Sequence, residues 1–179
     1  MKGVLFFCFL VVVLVSVPAA VRSAVSGSLV GFSGSRSVVP PVLSSVLPLV
    51  PSSAAVLVGC ARGVDAAVRS SLSARCRVRV FRASSFGSGR ASFARRSAAL
   101  VRSLSACRGV LVCFPGRACP AGVRPSSVFR GFGSGSWGSA ALAVGLGVRV
   151  CLWLPSGLSV PAAWGLVSVG FGWWVSRSA

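Results

Sequence analysis

The chain has 179 residues with 19 Lys and Arg against a single acidic residue, a formal net charge of +18 and a pI near 12.0. That length suits one domain with a substantial hydrophobic core. With no His, Glu or Tyr and no Cys-x-x-Cys pair, the chain lacks the usual groups for acid–base catalysis at neutral pH and for zinc ligation.

The alphabet itself is unusual. Apart from Met1, Lys2 and Asp65, every residue is Phe, Leu, Ser, Cys, Trp, Pro, Arg, Val, Ala or Gly. These are the amino acids that codons without adenine can specify, so the coding strand is expected to be nearly emptied of adenine. Ordinary use of adenine in the Val, Ala, Gly and Ser codons would contradict this. Arg is then the only charged residue freely available, and the basic charge becomes a weak pointer to nucleic acid or an anionic membrane surface. The hydrophobic fraction of 54% and the mean hydropathy of +0.85 are inflated for the same reason. The seven Cys, at positions 8, 60, 76, 107, 113, 119 and 151, are odd in number and scattered. They read as free thiols in a reducing compartment, which favours the cytoplasm.

In chain order, residues 1–28 form an apolar N-terminal element. Lys2, the apolar run over 4–17 and the small residues over 19–24 follow the layout of a signal peptide. The run is short for a membrane span of about 20 residues. Two readings stay open: a buried strand and helix, or a leader of residues 1–24 cleaved from a secreted protein. Residues 29–179 are read as one domain. Runs at 29–32, 55–58, 78–81, 110–114 and 148–154 are short, Val-rich and bounded by Gly, Ser, Arg or Pro, as in strands buried on both faces of a parallel sheet. Helices are expected at 41–50, 65–72, 91–106 and 137–146. In 91–106, Phe93, Ala94, Ser97, Leu100, Val101 and Leu104 share one stripe, with Arg95, Arg96 and Arg102 placed on the remainder. The segment 164–174 is expected to add an edge strand. The alternation predicts an α/β fold, a Rossmann-like, doubly wound and mainly parallel sheet with helices on both faces.

Such sheets bind ligands beyond the carboxyl ends of their strands. Gly-rich turns fall at those ends: Gly31 to Arg36, Gly59 to Asp65, Gly116, and Gly133 to Trp137. Backbone N–H groups at helix starts opened by Gly bind phosphate. Asp65 opens a helix, where a carboxylate caps or favours the dipole. Ser caps about as well and needs no adenine, so a carboxylate is expected to be required. It either accepts from a ribose or base, or neutralises a buried Arg such as Arg36 or Arg62. Cys60 is a candidate nucleophile without a His partner. Phe86 and Phe93 flank the loop around Arg90 and suit either base stacking or, for Phe93, core packing. Trp137 packs over a ligand or under the last strand.

Taken in order, GFSGSR, VLVGCARGVDAAVR, VFRASSFGSGRASFARRSAALV, GVLVCFPG and GSGSWGSAALAVGLGVRVCLW resemble a SLOG domain. That is the Rossmann-like domain shared by the DNA-processing protein A group and the Lonely Guy phosphoribohydrolases, and the resemblance covers roughly residues 29–155. It implies recognition of a nucleotide, a nucleotide derivative or single-stranded DNA. Residue by residue, Gly34, Ser35 and Arg36 match the first-strand loop, and Gly59, Gly63 and Asp65 the second glycine-rich loop. Arg95 and Ser97 match an Arg-plus-polar pair beside the ligand, and Gly135 and Ser136 the turn that holds a phosphate. Phosphoribohydrolase members also pair an Arg with a Glu, and this chain has no Glu. The expected function is therefore nucleotide binding without catalysis, with no metal or cofactor. Three alternatives stay open: single-stranded nucleic-acid binding through the Arg surface, a divergent nucleotide N-glycoside hydrolase, and a secreted cationic protein.

Overall fold

The computed structural model describes residues 16–177. The run over 4–17 therefore lies largely outside the described residues. Among those described, the helices are α1 (Ala19–Val25), α2 (Val42–Val46), α3 (Val64–Leu72), α4 (Gly89–Ala106) and α5 (Gly135–Gly145). The strands are β1 (Leu29–Gly34), β2 (Ala55–Gly59), β3 (Arg77–Phe81), β4 (Val110–Phe114), β5 (Arg149–Trp153), β6 (Leu166–Gly170) and β7 (Trp173–Ser176).

The strands form one sheet in the order β3-β2-β1-β4-β5-β7-β6. The first five run parallel, and β7 and β6 close the far side antiparallel. This is a doubly wound, Rossmann-like α/β fold. Strand pleating sorts its side chains to two cores. Val56, Val58, Val110, Val112 and Phe114 face α1, α2 and α3. Leu57, Leu111, Cys113, Val150 and Leu152 face α4 and α5. The helix α1 buries Val21, Ala24 and Val25 in the first core, together with Val17 before it.

Three elements differ from the sequence expectation. The strand β3 is an edge strand, not a doubly buried one, with Arg77 and Arg79 exposed and Arg79 stacked 4.9 Å from the Phe81 ring. Charged residues on an open edge discourage pairing with another chain. The helix expected at 41–50 stops at Val46 and passes into a 3₁₀ turn at Leu47–Leu49, because Pro48 has no N–H to continue the ladder. The C-terminal segment gives two strands instead of one. Phe171 and Gly172 take φ of 53° and 80°, a turn whose twist suits a hairpin. This seats Trp173 inside, edge-on to Phe114 with ring centroids 5.7 Å apart.

No helix among the described residues is long and apolar enough to cross a membrane. Six cysteines there are free thiols.

Candidate functional site

The sheet order reverses between β1 and β4, the place where a doubly wound sheet opens a crevice at its carboxyl edge. A cleft of about 840 Å³ lies there, bounded by the loop after β1, the first half of α4, and the loop from β4 into α5. The two strands end level, with Gly34 opposite Phe114. The loop after β1 is fixed by its own backbone. The Ser35 N–H donates to the Phe114 carbonyl at 2.9 Å, and the Ser35 carbonyl accepts from the Val64 N–H at 3.0 Å. The Ser35 hydroxyl accepts from the Val38 N–H at 3.1 Å, closing a local turn.

The floor of the cleft is charged. Asp65, in the first turn of α3, is 4% exposed, and Arg96, on α4, is 7% exposed. The Arg96 Nη1 donates to Asp65 Oδ2 at 2.9 Å, and the Ala61 N–H donates to the same oxygen at 3.2 Å. This is the ion pair found among the described residues. Arg69 holds the turn beneath it by donating to the carbonyls of Gly59 at 2.6 Å and Ala61 at 3.1 Å. Arg96 Nε is buried and has no hydrogen-bond partner among the described residues. A buried guanidinium N–H without an acceptor is costly, so Arg96 is an aligned cation with a buried donor left unpaired.

The opposite wall is the start of α5. Ser134 caps it, its hydroxyl accepting from the Trp137 N–H at 3.4 Å and lying 3.3 Å from the Ser136 hydroxyl. No atom stands within 4 Å of where a Cβ on Gly135 would project, so the first turn is open to the cleft. Trp137 is fully buried beneath it, edge-on to Trp164 at 5.4 Å. Its indole N–H donates to the Arg117 carbonyl at 2.9 Å, and Arg117 Nη2 donates to the Gly133 carbonyl at 2.6 Å. Trp137 thus supports the turn from below.

Of the residues named from sequence, Gly34, Ser35, Arg36, Asp65, Ser97, Gly135 and Ser136 come together around the cleft. Gly59, Gly63 and Arg95 do not line it. A Cβ on Gly59 would collide with the Arg96 guanidinium and the Asp65 carboxylate, so that glycine makes room for the ion pair. Gly63, at φ 64°, would collide with the Ser35 carbonyl and lets the loop after β1 lie against α3. Arg95 is exposed and donates to the Phe86 carbonyl at 3.3 Å. The partner of Asp65 is neither Arg36 nor Arg62 but Arg96, which sequence reasoning had placed on the polar side of its helix. Arg96 stands four residues before Leu100 and four after Ser92, both buried, which puts it on the inner face of α4. Phe93 is 37% exposed under the Arg36 guanidinium, 4.5 Å from ring centroid to Cζ, rather than in the core. Cys60 lies outside the cleft lining, its sulfur accepting from the Ala83 N–H at 3.2 Å.

Cys113 is buried near the floor and donates to the Ser136 carbonyl at 3.3 Å. Burial first, and the Asp65 carboxylate second, push its thiol well above the ordinary range. Such a thiol is inert as a nucleophile. Among the described residues no group of three His, Cys, Asp or Glu is arranged to hold a metal ion. No protein-family model, curated protein or solved structure matches the chain.

Proposed function

We propose that the cleft binds a phosphorylated, nucleotide-type small molecule, as the SLOG resemblance implies, and that it does so without catalysing a reaction. The observation that carries this reading is Arg96: a buried cation, oriented by Asp65 and with Nε unpartnered, that lines the same cleft as the open first turn of α5. A phosphate there would accept from Arg96 and from the N–H groups of that turn, charge-assisted bonds reinforced by the helix dipole. Arg36, Arg90 and Arg117 also line the cleft, against one carboxylate, so its field favours an anion. Asp65 orients the cation and is engaged in doing so. With no Glu or His in the chain, no second group stands ready for glycosidic cleavage. The free thiols favour a reducing compartment, the cytoplasm.

A thermal-shift screen of the full chain with AMP, GMP, ADP-ribose and inorganic phosphate, at low and high salt, tests the reading. Stabilisation by a nucleotide that persists at high salt and exceeds that of free phosphate is expected. Equal stabilisation by every polyanion, fading with salt, would contradict it.

A second reading, single-stranded nucleic acid, is favoured by Phe93 and Phe132, both exposed at the cleft mouth among arginines. Aromatic platforms beside a cationic groove suit stacked bases. Its mark would be affinity for oligonucleotides that falls steeply and linearly in log–log salt plots.

A further inference from the structure

The mouth of the cleft holds a feature that phosphate binding leaves unused. Arg36 sits on the loop pinned through both backbone groups of Ser35, and its guanidinium carbon lies over the Phe93 ring, 4.5 Å from the centroid. Its head and its backbone are therefore both held. The chain's one acidic side chain is committed to Arg96, so among the described residues Arg36 has no carboxylate to meet. A guanidinium stacked on an aromatic face keeps its edge free, presenting a planar fork of N–H donors. Phe132 also lines the cleft, 57% exposed and at φ 42°, its ring within 3.6 Å of where a Cβ on Gly122 would stand. Bulky residues seldom hold such a φ without compensation from their surroundings.

The serine hydroxyls that line the cleft both donate and accept, but its charged side chains at the mouth are one-sided in hydrogen bonding. Arg36, Arg90 and Arg117 only donate. Asp65 only accepts, but it lies at the floor with Oδ2 already taken by two donors. The chain contains no Asn or Gln, the amides that read adenine through paired donor and acceptor. A base edge that offers two acceptors side by side fits a donor fork. The O6 and N7 of guanine and hypoxanthine form that edge. Adenine instead turns an amino group toward the fork beside N7, donor against donor, and uracil separates its two carbonyls by an N–H. Cytosine has an acceptor pair in N3 and O2, but on a single ring with less surface to stack than a purine.

We propose that Arg36 is a specificity-determining residue that makes the cleft select 6-oxopurine nucleotides, with the base stacked at Phe132 and its O6 and N7 edge on the Arg36 fork. This rests on the phosphate-binding reading above. That reading fixes one end of the ligand; this one fixes the other.

Titration calorimetry of the full chain with GMP, IMP, AMP, UMP and 7-deaza-GMP tests it, in wild type and in Arg36→Lys. Lys keeps the charge and loses the fork. GMP and IMP are expected to bind roughly ten-fold or more tightly than AMP and UMP. Replacing N7 by carbon is expected to remove much of that advantage, and Arg36→Lys to bring the GMP/AMP ratio close to one. Equal binding of GMP and AMP by wild type, or a preference that survives in Arg36→Lys, would overturn the inference. If the nucleotides bind equally and Asp65→Ala/Arg96→Met abolishes them all, the phosphate reading stands and base selection falls. If no mononucleotide binds wild type, both fall together.

Discussion

Asp65 offers a carboxylate where Ser would cap the helix equally well, and its contact with Arg96 supplies the reason. A hydroxyl satisfies N–H groups, but it cannot neutralise a guanidinium that is 7% exposed. Breaking a buried pair from one side leaves an uncompensated charge, at a cost of about 3–5 kcal/mol, whereas replacing both partners with apolar groups is often close to neutral. Asp65→Ser is therefore expected to lower stability by that order in urea unfolding, and Asp65→Ala/Arg96→Met to recover most of it. The thiols behave differently. Burial pushes Cys151 up from 9.0 to about 12, and Cys113 is raised by burial and the Asp65 carboxylate. Both should resist a thiol reagent at neutral pH until the protein unfolds, while the exposed Cys107 reacts at once. A thiol whose pKa is raised by folding holds its proton more tightly in the folded state. Its stabilising contribution is whole below the unfolded pKa of about 8.5 and is lost as pH climbs through the folded value. Unfolding midpoints should therefore fall in alkaline buffer, over the range from about 9 toward 12 for Cys151.

At the scale of elements, the helix α1 carries a testable consequence. Val17, Val21 and Ala24 are buried against the sheet, and a fully buried Val contributes about 1.5–3 kcal/mol. A chain beginning at Val25 is expected to unfold at distinctly lower urea than the full chain; an unchanged midpoint would show that α1 adds nothing to the core. The five parallel strands were legible because continuous Val-rich runs between Gly, Ser and Pro have few other uses. The edge position of β3 was missed, although Arg77 and Arg79 alternate with Val78 and Val80. The hairpin of β6 and β7 was not legible, because Phe171 at positive φ is no turn signal; only the flanking Gly170 and Gly172 hinted at it. Around the site, the glycine-rich turns announced themselves. Arg96 did not, because in an alphabet where Arg is the only freely used charged residue a buried arginine looks like a solvated one. Gly59 and Gly63 were recognised as special but for another reason than the actual one, since close packing and ligand contact leave the same mark on a sequence.

On the scale of the whole molecule, a charge of +18 with one acid makes self-repulsion a standing cost of the folded state. Any anion should stabilise the chain a little, and screening should remove that general effect. A specific pocket differs in two respects: it saturates with one ligand, and it depends on the few residues that build it. The doubly wound sheet puts those residues together by topology alone. The loops after β1 and β4 meet at the reversal of strand order, α3 brings Asp65 beneath them, and α4 lays Arg96 alongside. With no His in the chain, the pH dependence of phosphate binding near neutrality should follow the ligand's own second ionisation, near pH 6 for a phosphate monoester. The most direct measurement is calorimetric titration of GMP, in salt high enough to screen the surface, into wild type and into Asp65→Ala/Arg96→Met. A saturable one-site isotherm in wild type that is absent from the folded double variant is the predicted result. The same isotherm in both proteins, or none in either, would contradict binding at Arg96 and the α5 turn.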